Sequence, residues 1–166
     1  LPVAIKKALH RYKTQLELQL SEKRLKTSED SMRNMVRNAP IAVAMFDVEM
    51  NYLVVSDFWL KHEGKTEAII GKNHYDVVLE IPDSWKKIHM KVLAGETHGS
   101  EQERMPRADG KTEILRWKMN PWYTAEKGIG GAVLFIEDIA EKVEARSSKE
   151  KNQQLLTIGE ELGSTG

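Results

Sequence analysis

No cysteine occurs among the 166 residues. That absence removes disulfides, thiolate zinc sites, cysteine nucleophiles and any cofactor attached through sulfur. It also fits a reducing compartment, so a cytoplasmic location is expected. The sequence has no apolar run of the roughly 20 residues that a membrane-spanning helix needs, and no signal-peptide pattern. After Pro2 there is neither proline nor glycine until Pro40, so nothing in that stretch breaks a helix. The chain opens on Leu1 rather than Met, as expected of a piece of a longer polypeptide.

What is present is 40% hydrophobic and 30% charged residues, the balance of a soluble globular domain carrying exposed helices. The net charge of zero is unevenly spread: residues 1–37 carry +5, residues 38–138 carry −4 and the remainder −1. A basic helix can touch nucleic acid or anionic lipid. Here Glu17, Glu22, Glu29 and Asp30 interrupt the basic face, so a solvated exterior is expected and no nucleic-acid partner.

Residues 1–37 read as a helix rich in Lys, Glu, Gln, Leu and Arg. Ile5, Leu9, Tyr12, Leu16 and Leu20 form one stripe, and Leu25, Met32 and Met35 continue it in a shifted register. A two-stranded coiled coil with a stutter gives that pattern, and so does a helix packed along its own domain. Asn38-Ala39-Pro40 ends the helix. Residues 41–47 then alternate, with Ile41, Val43 and Met45 on one face and Ala42, Ala44 and Phe46 on the other. The small face leaves room for a connector helix or a dimer partner. Glu49-Met50-Asn51 turns the chain into a return strand at 52–55.

Short helices are predicted at 57–70, 75–79 and 84–94, with Asp83 or Ser84 as N-cap of the last. Strands return at 100–106, with a hairpin turn at 107–110, and at 113–122, where Leu115, Trp117 and Met119 alternate with Arg116, Lys118 and Asn120. Residues 128–131 turn into a central strand at 132–136, and a charged helix begins after Ile139. Strands interrupted by helices in this order place the helices on one side of an antiparallel sheet.

An ordered set of short motifs now resembles the PAS family of sensory modules, over residues 38–141. It opens with Asn38-Ala39-Pro40-Ile41-Ala42-Val43. Trp85, Ile88-His89, Leu93-Ala94-Gly95-Glu96 and Pro106-Arg107-Ala108-Asp109-Gly110 follow. Then come Leu115-Arg116-Trp117 and Pro121-Trp122, and an exit at Glu137-Asp138-Ile139-Ala140-Glu141 similar to the family's Asp-Ile-Thr-Glu signature, with Ala140 replacing Thr. Ser56 also departs from the Asn common after the second strand. The resemblance implies an α+β fold: a five-stranded antiparallel sheet with short helices on one face and a pocket between them. It divides the chain into an N-terminal connector at 1–37, the sensory domain at 38–141 and a C-terminal connector at 142–166. Residues 1–9 faintly resemble the last helix of a receiver domain, which would make the parent a two-component protein with a receiver upstream and an output domain downstream.

Catalytic and cofactor readings find little to rest on. Gly64-Lys65-Thr66 and Gly110-Lys111-Thr112 lack the upstream glycine of a phosphate loop, because Trp59 and Met105 occupy that position. Gly128-Ile129-Gly130-Gly131 lacks the third glycine of a dinucleotide loop. Light-sensing flavin relatives carry a cysteine where this sequence has His74, so flavin–thiol adduct chemistry is unavailable. His89 and His98 do not fall where a haem ligand is expected, and haem is not expected. His62, His74, His89 and His98 have no metal-ligand spacing. Glu101 and Glu103, or Asp76 and Asp83, assemble no nucleophile, base and oxyanion donor, so no enzyme is expected.

What remains is an apolar interior. Val43, Met45, Phe58, Ile70, Val77, Ile88, Val92, Leu115, Trp117, Met119 and Phe135 are the candidate lining of a ligand pocket, and a closed core is the alternative. Asp138 and Glu137 are candidate relay residues into the exit helix. A homodimer, a small-molecule ligand and covalently linked signalling domains are the expected partners. Three functions follow: a ligand sensor, a ligand-free dimerisation and relay module, and, last, a nucleic-acid or membrane contact through the basic helix.

Overall fold

The structure, a computed structural model, describes residues 1–79, 81–107 and 110–164. Its elements run α1 (Val3–Arg37), β1 (Ala42–Asp47), β2 (Tyr52–Val55), α2 (Asp57–Glu63), a 3₁₀ turn (Glu67–Ile69), α3 (His74–Val77), α4 (Asp83–Leu93), β3 (His98–Pro106), β4 (Thr112–Tyr123), β5 (Ile129–Asp138) and α5 (Ala140–Gly163). The strands form one antiparallel sheet of five in the order β2-β1-β5-β4-β3, the α+β architecture expected. Of the expected turn at 107–110, Ala108 and Asp109 lie outside the described residues, as do the last two of the C-terminal connector.

The sheet has one core face. Ala42, Ala44 and Phe46 of β1 stand beside Ile136, Leu134 and Ala132 of β5, and these beside Trp117, Met119 and Pro121 of β4. With Tyr52, Val55, Trp59, Ile69 and Val92 they make the core under α2, α3 and α4. This corrects the reading of β1. Its small residues face the core, where they make room for Trp59 and Trp117, while Val43 and Met45 face the other way. A strand apolar on both sides does not reveal its inward face, and a shift of one position exchanges the two.

Helix boundaries follow local chemistry. Ser56, fully buried, caps α2 by accepting from Trp59 N at 3.1 Å. The same hydroxyl donates to the Ile41 carbonyl at 2.9 Å and accepts from Val43 N at 2.8 Å, tying β1 to α2. Gly64 closes α2 in the left-handed conformation, φ 61°, so the helix expected through residue 70 stops early and the 3₁₀ turn follows. α4 starts at Asp83 with Pro82 as N-cap and no side-chain cap, which corrects the capping expected from Asp83 or Ser84.

No residue of α1 is buried. Its last turns touch the domain, through Arg33 donating to the Leu53 carbonyl at 3.4 Å and Arg37 pairing with Asp57 and Glu67. Its stripe, from Ile5 through Met35, is exposed, so packing along its own domain is not its role in this chain. α5 is rooted by Ile139, which is buried and donates its N–H to the Ile114 carbonyl at 2.8 Å. Leu155, Leu156, Ile158 and Leu162 further along α5 are exposed. Among the described residues no helix is long and apolar enough to cross a membrane.

Candidate functional site

Between the helices and the core face of the sheet lies a cavity of about 480 Å³, within the range of small-molecule sites. The end of α2 contributes Trp59, His62 and Glu63. α3 and the segment after it contribute His74, Val78, Ile81 and Pro82, and α4 contributes Trp85 and His89. The sheet supplies Met105, Pro106, Glu113, Leu115, Trp117, Leu134 and Ile136, with Arg107 beside them. The walls are mainly apolar, and Trp85 packs on Trp117 with ring centroids 4.5 Å apart.

Of the residues expected to line a pocket, Leu115 and Trp117 do so. Val92 and Met119 are buried in the core, and Val77 and Ile88 are half-buried against it. Val43, Met45 and Phe135 lie toward the opposite face, Phe135 against a separate groove with Lys118 and Asn120. Phe58 and Ile70, 53% and 38% exposed, lie outside both core and cavity. Their neighbours Trp59 and Ile69 took the inward places, because a one-residue change on a helix turns a side chain by about 100°. The wall histidines and Trp85 were missed as lining. The signal for α4 was present: Trp85, His89 and Val92 are spaced i, i+4, i+7 along one helix face.

His74 and His89 are core residues, 6% and 1% exposed, with ring centroids 5.4 Å apart. Each leans on a tyrosine: Tyr52 Oη is 2.7 Å from His74 Nδ1, and Tyr75 Oη is 2.9 Å from His89 Nδ1. Burial pushes both imidazoles down to about 4, helped for His74 by its neighbour His89. Burial also raises the Tyr52 phenol. His89 Nε2 has no hydrogen-bond partner. The Trp59 indole N–H also lacks a hydrogen bond of good geometry, although it lies close enough to Tyr52 to favour the ionised phenol. At the other side of the cavity His62 sits 3.0 Å from Glu63 and 3.5 Å from Glu113, and Arg107 pairs with Glu113. The bond to Glu63 raises the His62 pKa and lowers that of Glu63. Among the described residues no group of three or more His, Asp or Glu could hold a metal ion.

These histidines predict an acid-labile fold. A depressed folded-state pKa adds stability that is present above the ordinary value of 6.5 and lost as pH falls toward 4. His62 works the other way, and its contribution is already complete below 6.5. Glu63 begins to lose its own only below its ordinary 4.5. Urea unfolding at pH 6.5 and at about pH 5.5 should therefore differ by about 1 kcal/mol for each of His74 and His89. Equal stability at the two pH values would show that the rings titrate normally.

A family model described as the PAS fold matches residues 36–144. The chain belongs to the PAS family. Among solved structures, the PAS domain of BvgS from Bordetella pertussis aligns with TM-score 0.58 at 20% identity, covering 77% of this chain and 98% of that one. VqmA bound to DPO aligns with TM-score 0.52 at 16% identity, covering 65% of this chain and 56% of that one. A Vibrio cholerae VqmA dimer aligns with TM-score 0.54 at 16% identity, covering 68% of this chain and 52% of that one. The chain thus spans just over half the length of these VqmA chains, and at such identities the likeness is one of fold. Comparison with curated proteins gives no match. Within this PAS domain the cavity lies between the sheet and the short helices, where the resemblance placed a pocket.

Proposed function

We propose that this PAS domain is the sensory module of a bacterial signal-transduction protein. In this reading it binds a small ligand in the cavity and passes the change to an output domain through α5, without performing a reaction itself. The observation that carries the proposal is the 480 Å³ apolar cavity with an unpartnered polar atom, His89 Nε2, in its wall. A fold neighbour, VqmA, has been solved bound to DPO, which supports ligand binding as a use of this fold. The module is placed in the cytoplasm, between linked signalling domains, with no role in nucleic-acid binding.

The relay is assigned to Glu137 and Asp138. Glu137, next to last in β5, pairs with both Lys142 of α5 and Arg116 of β4, and those two cations hold its carboxyl below the usual range. Asp138 Oδ1 accepts from Ala140 N at 2.9 Å, at the start of α5. A preference of roughly 1–3 kcal/mol of a ligand for one arrangement of this junction is enough for usable coupling.

Hydrogen exchange against fractionated cell extract tests the proposal. A ligand-bearing fraction should protect α3 and α4 in the wild-type chain and not in the cavity-filling variant Ile136→Trp. It should also alter exchange in the first turn of α5, and Asp138→Ala should weaken that response while leaving the fold intact. If no fraction protects the wild type, the sensor reading fails.

The second reading is a ligand-free dimerisation and relay module. It is favoured by the exposed stripe of α1, Ile5 through Met35, which is not buried by any other element among the described residues. A two-stranded coiled coil would cover it. Deleting residues 1–24 should then shift sedimentation from dimer to monomer. A truncated chain that stays dimeric at low micromolar concentration excludes α1 as the main interface.

A further inference from the structure

His89 is 1% exposed, and its Nε2 makes no hydrogen bond. Folded proteins leave few such groups unmet, and each has a reason to exist. The other ring nitrogen is engaged by Tyr75 at 2.9 Å. A phenol hydroxyl is a better donor than acceptor, which favours the arrangement in which Tyr75 donates to Nδ1 and the ring proton sits on Nε2. His89 lines the cavity, so a buried N–H donor without an acceptor lies within its wall. The rings flanking it, His74 and Trp85, line the same cavity.

The rest of the wall restricts what can bring that acceptor. Trp59, Trp85 and Trp117 offer flat apolar faces, which favour a planar ring over a branched aliphatic body. The charged and titratable side chains of the wall already face one another, His62 with Glu63 and Glu113, and Arg107 with Glu113. A charged ligand would lose hydration without gaining an unpaired counter-ion.

We propose that the cavity takes a neutral, planar heteroaromatic compound whose ring nitrogen accepts a hydrogen bond from the His89 Nε2–H. This rests on the cavity being a ligand site, as argued above.

Three probes of one shape test it: quinoline, which carries the acceptor; naphthalene, which lacks it; and N-methylquinolinium, which replaces it with a positive charge. Chemical-shift titrations of the full chain give the three affinities in wild type, His89→Phe and His89→Gln, whose amide N–H reaches a similar position. The quinoline-to-naphthalene affinity ratio should fall about tenfold in His89→Phe, the value of one hydrogen bond to a buried donor, and be kept in His89→Gln. In wild type labelled with ¹⁵N-histidine, quinoline should shift a protonated His89 Nε2 and naphthalene should not, a measurement that stands even where a variant does not fold. A ratio indifferent to His89, tighter binding of the cation, or a ring protonated on Nδ1 would overturn the proposal while leaving the cavity a ligand site. Failure of quinoline to bind would overturn this inference, whereas the cavity reading itself falls only if no extract fraction protects the wild type.

Discussion

Alanine in place of Gly131 is expected to prevent the domain from folding. Gly131 stands opposite Asp47 across the central β1–β5 pair and opposite Trp122 on β4, with φ 152°. A Cβ there would fall well inside contact distance of the Phe46 carbonyl oxygen and 2.8 Å from the Asp47 Cα and carbonyl carbon. Those atoms are backbone, so no side chain can swing aside. The same Phe46 carbonyl accepts the Trp122 indole N–H at 2.8 Å, which locks three strands around the point. Relief requires parting β1 from β5 beside the buried Phe46. That places the substitution among the exceptional ones, above about 4 kcal/mol, against a total stability of roughly 5–15 kcal/mol. Amide resonance dispersion and urea unfolding would decide it. Gly159→Ala is the control, since a Cβ at that position in α5 meets nothing within 4 Å. A dispersed, native-like Gly131→Ala spectrum would mean that the strand pair gives way at little expense.

Removing the Trp117 side chain should destabilise the domain by about 3–5 kcal/mol. The ring is 6% exposed, packs on Trp85 and donates its indole N–H to the Glu103 carboxylate. Its β4 position pairs with Ile136 on one side and Ser100 on the other, so it is flanked by strands on both sides. Truncation to alanine strips the apolar contact, leaves Glu103 without its donor and opens the cavity wall. Trp117→Phe keeps a ring against Trp85 and loses only the indole N–H and part of the area, so it should cost distinctly less. Urea midpoints of the two variants at neutral pH measure the difference. A loss below about 1 kcal/mol for Trp117→Ala would show that the ring is a movable flap and not a core element.

These two residues also mark the border of what the sequence disclosed. Trp117 was legible because β4 alternates large apolar residues with Arg116 and Lys118, and only one assignment of faces buries the former. The order of elements was legible for a similar reason, since Pro40, Gly64, Gly71 and Gly95 sit at real breaks. β1 was ambiguous. Both of its faces are apolar, and its inward face is decided by which residues meet Leu134 and Ile136 on β5, information that lies some ninety residues away. The cavity was half legible. Leu115 and Trp117 came from the alternation, whereas Trp59 was displaced by its neighbour Phe58 within a helix of 7 residues, too short for a periodic pattern to choose between them. His89 was expected to be no haem or metal ligand and His74 to stand where flavin relatives carry a cysteine; both are buried core residues. What the sequence did not reveal is that each has a tyrosine fixing one ring nitrogen, because those pairings join α3 to β2 and to α4.

The pairing of Ala42 with Ile136 has a mechanical consequence. β1 begins where α1 hands over, and β5 ends where α5 takes over, so the two helices attach to the same end of one antiparallel strand pair. Tension that separates the helices loads that pair at a single end. Its hydrogen bonds then open one after another, as in a zipper, instead of resisting together as they would if pulled from opposite ends. The seam between β1 and β5 is thus the compliant link between the two shafts, and a torque arriving along one of them is met first by the bonds around Ala42 and Ile136.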